Sequence, residues 1–247
     1  MTTTTAQTSN LLGTTQLLSV GFKIAKSNAS GKGVVTKIQY GAPAWESGYN
    51  MCAFASDACA KACLGHSSGR LQMTASKTAR RRRTWLLQRD RKAYGVQIRK
   101  ELGALERKAR REELIAACRL NGATDTRYEA IKFDGMTIME SFPNIRFYDY
   151  TKWTSALRPQ SSLPSNYHLT FSRSENTTLA QIQTDLDAGR NVAVVFDVVP
   201  TTWQGWTVID GDKDDLRFLD PVGVIVGLTA KGKAKKDTSG FVVRLEA

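Results

Sequence analysis

The 247-residue chain has two histidines, His66 and His168, so a metal site built mainly from imidazoles is excluded. It has no run of about 18 apolar residues, which excludes a transmembrane helix and predicts no membrane partner. Its first residues, MTTTTAQTSN, lack a basic n-region and an apolar h-region, so a secretory signal is not expected there. Residues 1–10 read instead as a Thr-rich disordered tail. Collagen-like, coiled-coil and wholly disordered classes are excluded by a composition that is 41% hydrophobic and 23% charged. That composition supports one sizeable core or two small ones.

Charge is what the chain has in excess, and the excess is local. Between Arg70 and Arg111 there are 15 Lys/Arg and 3 Asp/Glu, while the remainder carries 20 of each. One 42-residue segment therefore accounts for the whole net charge of +12. Such a stripe fits phosphates, on nucleic acid above all; a solvated helical face usually carries both signs. The nucleic-acid contacts are expected from Arg80, Arg81, Arg82, Arg83, Arg89 and Lys92. Four consecutive arginines span about 300° of a helix, so two of Arg80–Arg83 are expected to reach phosphate.

Within 70–111 the apolar residues Tyr94, Ile98, Leu102, Leu105 and Ala109 fall on one helical face, with a break predicted near Asp90. Residues 33–38 read as a strand and 41–70 as a long ordered loop. Beyond residue 111, short apolar runs alternate with turns: 114–120, 145–148, 167–171, 192–196, 208–209, 224–228 and 241–245, with a short helix at 179–186. Continuous Val/Ile/Phe runs are expected of parallel strands covered on both faces. The reading is a single α/β domain over 11–247: a compact, irregular TIM-like barrel with a basic helical segment inserted after the first strand. A doubly wound sheet is the alternative.

The loop NMCAFASDACAKACLGHSSGR spaces its ligand-type residues as Cys52-x6-Cys59-x3-Cys63-x2-His66, with Cys118 apart in a strand. In a reducing compartment disulfides are not expected, and three nearby cysteines point to a soft metal or a cluster. Zinc would take Cys52, Cys59, Cys63 and His66. A [4Fe–4S] cluster would take the three thiolates and leave one iron open. This second arrangement resembles radical-SAM enzymes, whose cluster loop also follows the first barrel strand, although their usual spacing is x3 then x2. Small buried cysteines in an Ala-rich segment are the alternative.

Polar residues follow the predicted strands: Asn121, Asp125, Asp149, Lys152, Ser172, Arg173, Asp197, Asp210, Asp212 and Lys231. In a parallel barrel that is where an active site lies. Carboxylates there act as nucleophile, general base or purine-edge acceptor. Asp210 or Asp149 is expected as nucleophile and Asp125 as base reader, with Asn121, Lys152, Ser172, Arg173 and Asp212 contacting substrate. The acidic run Asp210–Asp215 fails as an EF-hand, having Asp215 at the sixth position and Pro221 at the twelfth, which leaves a Mg²⁺ site or an acidic turn. His168, inside YHLTF, reads as a satisfied core histidine.

Several phrases, among them CAFASDACAKACLGHSSGR, RLNGATD, RFYDYTKW, NYHLTFSRSE, NVAVVFD, VIDGDKDDLRFLDP and VIVGLTAKGKA, resemble a bacteriophage family of uncharacterised gene products, over about residues 33–236. More distantly the layout resembles phage DNA-guanine transglycosylases, relatives of tRNA-guanine transglycosylase. That resemblance implies a barrel, a nucleophilic aspartate, a second aspartate reading the purine, and a structural zinc with Cys₃His ligands. In those enzymes the zinc ligands lie late in the chain, whereas the cysteines here lie early.

The leading expectation is a phage enzyme in the host cytoplasm that exchanges guanine for a 7-deazaguanine in DNA. The alternatives are a radical-SAM-like iron–sulfur enzyme and a non-enzymatic DNA-binding protein with structural zinc.

Overall fold

The structure is a computed structural model and describes residues 16–67 and 69–245, with the His66 side chain outside the description. The tail expected to be disordered, residues 1–10, lies outside the described residues.

The chain opens with a short strand β1 (Leu18–Ser19), helix α1 (Phe22–Asn28) and strand β2 (Val34–Gln39). Two short helices follow, α2 (Asp57–Ala62) and α3 (Leu64–Ser67). They occupy part of the segment read as a loop. Next come the long helices α4 (Thr74–Arg89) and α5 (Arg91–Arg111), then β3 (Ile115–Arg119). Helix α6 (Ile138–Ser141), β4 (Arg146–Thr151), β5 (Tyr167–Ser172), α7 (Leu179–Asp187) and β6 (Val192–Phe196) complete the middle of the chain. The last strands are β7 (Thr202–Trp203), β8 (Trp206–Asp210), β9 (Ile225–Thr229) and β10 (Val242–Val243).

All ten strands form one sheet in the order β1-β2-β3-β4-β5-β6-β9-β8-β7, with β10 paired to β6. From β2 to β8 every neighbouring pair is parallel. The two short end strands, β1 and β7, pair antiparallel. The strand order runs straight from β1 to β6, then jumps to β9 and steps back through β8 to β7.

The predicted helix break is real. Asp90 separates α4 from α5, and its carboxylate caps α5 by accepting from Ala93 N. Helix α5 buries Tyr94, Ile98, Leu102, Leu105 and Ala109 against Val35, Ala116, Cys118 and Phe147 of the sheet. Each larger side chain there contributes roughly 1.5–3 kcal/mol by leaving water. Because strand side chains alternate, Tyr148 faces the other side, where Val34, Ala117 and Leu216 pack with it.

Leu216 reaches that face because the segment after β8 crosses back to the start of the sheet. Lys23 of α1 donates to Gly211 O at 2.8 Å and pairs with Asp215 at 3.2 Å. Asp215 N donates to Ser27 Oγ at 2.9 Å. Side chains thus join the two ends of the parallel run.

Candidate functional site

The cysteine loop is built by bonds to distant segments. Ser56 caps α2 by accepting from Cys59 N. Glu175, in the loop after β5, takes Ser56 Oγ at 2.6 Å and Ala58 N at 3.1 Å. Ala44 N donates to Cys52 Sγ at 3.4 Å. Gly65 is required by close approach, since a Cβ there would lie 2.9 Å from Pro43 Cγ. Arg80 ties the loop to α4: its guanidinium donates to Leu71 O, Gly65 O and the Glu46 carboxylate.

These constraints bring Cys52, Cys59 and Cys63 to one cavity of about 120 Å³ at the C-terminal ends of β2 to β5. Asp125, Tyr150, Lys152 and Ser172 share its lining. Burial pushes the Cys52 thiol up to about 12 and raises Cys59 as well. Neutral thiols are therefore the stable form unless a cation sits beside them. Among the described residues no three His, Cys, Asp or Glu side chains form a group that would hold a single metal ion. The fourth cysteine, Cys118, is fully buried in β3 beneath α5.

Asp125 is 8% exposed. Its Oδ2 accepts from Lys152 N at 2.7 Å, while its Oδ1 is buried without a hydrogen-bond partner. The nearest cation to that oxygen is Arg158, 3.7 Å away. Tyr150 also lines the cavity; its hydroxyl is buried and unpartnered, but the charges around it are Asp215, Arg217, Arg119 and Asp220, none of which lines the cavity. Burial raises the Asp125 carboxyl and lowers the Lys152 ammonium. Lys152 Nζ donates to Ser172 O, Ser172 Oγ and Arg173 O. A second cavity of about 380 Å³ shares Ala55, Lys152 and Ser172 with the first and continues past Ser174, Asn176 and Gln181. The loop after β3, the end of β4 and the end of β5 thus supply the polar groups, as strand-end placement predicted.

The other two aspartates lie elsewhere. Asp149 is not at a strand end, because β4 runs on to Thr151, and the pleat turns it toward the α5 side. It is 1% exposed and accepts from Asn121 N, Asn121 Nδ2 and the Tyr167 hydroxyl. Burial pushes its carboxyl up to about 7, against the pull of Arg119. Asn121 Oδ1 in turn accepts from Thr126 N and Thr124 Oγ1, so this pair shapes the turn that presents Asp125. Asn121 holds Asp149 rather than lining the cavity. Asp210 is exposed at the end of β8 and accepts from Asp212 N.

Asp212 binds Lys231 at 2.6 Å and Thr229 N, and Asp197 lies 3.9 Å from Arg244. Asp214 pairs with Lys32 and Asp215 with Arg119 and Lys23, so the acidic run is an ion-paired strap across the sheet. Arg173 donates to Gly240 O and Phe241 O, fastening the C-terminal segment. His168 departs from expectation in one respect: its buried Nε2 has no partner. Burial, then Arg190 and Arg217, lower its pKa to about 4.

The basic segment divides. Arg80 is 1% exposed and paired with Glu46, so it is internal and not a phosphate contact, contrary to expectation. Arg83 donates to Gln16 O and Tyr40 O. Arg81, Arg82, Arg89 and Lys92 are exposed. Glu46, Glu175 and Arg158 carry no signal in the sequence; each matters through a partner far along the chain.

Among the described residues no helix is long and apolar enough to cross a membrane. No curated protein and no solved structure matches the chain. The model of the phage family Gene product 88 matches residues 8–245, nearly the full length, and the chain belongs to that family.

Proposed function

We propose that this protein is an iron–sulfur enzyme of radical-SAM-like architecture, its sheet curled into an incomplete barrel with the cluster at the mouth. Thiolates of Cys52, Cys59 and Cys63 would hold a [4Fe–4S] cluster and leave one iron open. The observation that carries this reading is the convergence of three cysteines, all from the segment after the first parallel strand, on one cavity at the strand ends. The donor chemistry suits such a group: the three thiols line one void, and a [4Fe–4S] cluster is held by cysteine thiolates. The unpartnered Oδ1 of Asp125, a residue of that lining, also calls for a ligand there.

Such a cluster supplies an electron and an open coordination position to a bound reactant. The chain's own residues would do the rest. Asp125 presents a carboxylate oxygen to whatever occupies the cavity. Lys152, held by Ser172 and Arg173, carries positive charge beside Cys59 and stands between the thiols and the larger cleft, where substrate would bind. Exchange of a base through an aspartyl nucleophile would need a second carboxylate beside Asp125, and Asp149 and Asp210 do not line the cavity.

The test is anaerobic purification with iron, sulfide and zinc analysis and a visible spectrum. The expected result is a brown protein with about four iron and four sulfide per chain, which Cys59→Ala removes. Zinc without sulfide would replace this reading with a structural-zinc protein, with His66 as the fourth ligand. A metal-free, equally stable protein would end both.

A further inference from the structure

The surface beside the cysteine loop carries a second, independent feature. On α4, Lys77, Arg81, Trp85 and Arg89 recur every four residues and so share one face. The turn Trp45–Tyr49 packs against that face: Trp85 Nε1 donates to Ser47 O at 2.8 Å and Arg81 Nε to Glu46 O at 3.0 Å. The Arg89 guanidinium lies 5.2 Å from the Trp85 ring centre and 5.9 Å from that of Tyr49. Trp45 is 68% exposed. Arg82 is exposed on the adjacent flank. Rings and cations thus interleave where the Trp45–Tyr49 turn meets the segment holding the chain's whole charge excess.

The geometry points to a docking surface for single-stranded nucleic acid, with bases stacking on Trp45 and on the Tyr49–Arg89–Trp85 group and phosphates meeting Arg81, Arg82 and Lys77. The charge calls for a polyanion. Exposed Trp45, with half-buried Tyr49 and Trp85 beside it, selects the single-stranded form, because only an unpaired base offers its face to a ring. A duplex or an acidic protein would use the cations and leave Trp45 idle. The turn adjoins the cavity in the chain: Ala44, next to Trp45, lines the cavity and accepts from Met51 N across the base of the turn. A strand bound here runs beside the mouth of the candidate site, whatever the cysteines hold.

The test is fluorescence anisotropy with labelled oligo(dT), oligo(rU) and a duplex, titrated with salt. Trp45→Ala removes an exposed side chain and leaves the fold alone. It is expected to weaken single-strand binding roughly tenfold to a hundredfold, the worth of one stacked base, with the salt slope unchanged. Lys77→Gln with Arg82→Gln is expected to flatten the slope of log K against log salt by about 0.7 for each phosphate no longer neutralised. Binding of either single strand, DNA or RNA, with both signatures supports the assignment. It is overturned if duplex binds better than single strand, if Trp45→Ala binds as the wild type does, or if an acidic polypeptide competes as well as the oligonucleotides.

Discussion

The Arg80 guanidinium lies 3.0 Å from the Glu46 carboxylate, and both side chains are almost wholly buried, at 1% and 4% exposure. This pairing joins the middle of α4 to the turn that precedes Cys52, and Arg80 extends it to Gly65 O and Leu71 O beyond Cys63. One arginine therefore spans both ends of the cysteine loop.

Removing one partner of a buried pair leaves the other charge uncompensated, at a cost of about 3–5 kcal/mol. Glu46→Ala is expected to lower stability by that order in urea denaturation. Replacing Arg80 by Met and Glu46 by Leu together is expected to cost less than Glu46→Ala alone. Equal or greater destabilisation in the double variant would mean that the guanidinium's bonds to backbone carbonyls, rather than the charge pair, hold the loop.

Asp149 makes stability depend on pH in a stated direction. Its carboxyl is raised from the ordinary 3.8 to about 7 by burial, so the fold prefers the protonated form. The stabilisation from that preference is complete below pH 4 and is lost as pH rises through 7. Asp149→Asn is expected to be less stable in absolute terms, because Asn121 Nδ2 and an amide NH₂ both donate. Its stability should nevertheless lack the decline between pH 4 and 7, apart from smaller changes from other carboxylates. Parallel pH curves for the two proteins, from chemical denaturation at fixed temperature, would refute the assignment.

Cys118 serves as the internal control for the loop cysteines. It is fully buried under α5 and its thiol is raised well above the usual range by burial. Cys118→Ala should cost about 1–2 kcal/mol through poorer packing and leave the metal content unchanged. Substituting Cys52, Cys59 or Cys63 should abolish metal retention while costing the apoprotein little. Loss of metal in Cys118→Ala at preserved fold would show that metal retention does not single out the three loop thiols as its ligands.

Much was legible in the sequence because it is local. The helix break at Asp90, the buried face of α5, and the Val/Ile/Phe strands follow from periodicity and capping, which short stretches encode. The concentration of charge in 70–111 and the spacing of the three cysteines are likewise local facts. The placement of Asp125, Lys152 and Ser172 at strand ends followed from parallel-strand logic.

Only the tertiary structure decided which way each polar group faces. Asp149 left the mouth because β4 continues three residues further than its apolar run, and one step along a strand exchanges the two faces of the sheet. Arg80 turned inward because Glu46, 34 residues away, waits beneath α4, and no pattern within the arginine run distinguishes it from Arg82. The acidic run became a strap because its partners, Lys23, Lys32 and Arg119, come from the opposite end of the sheet. Periodicity records which residues are buried along one element; pairing across the chain is a property of topology, and it is there that the candidate site was assembled.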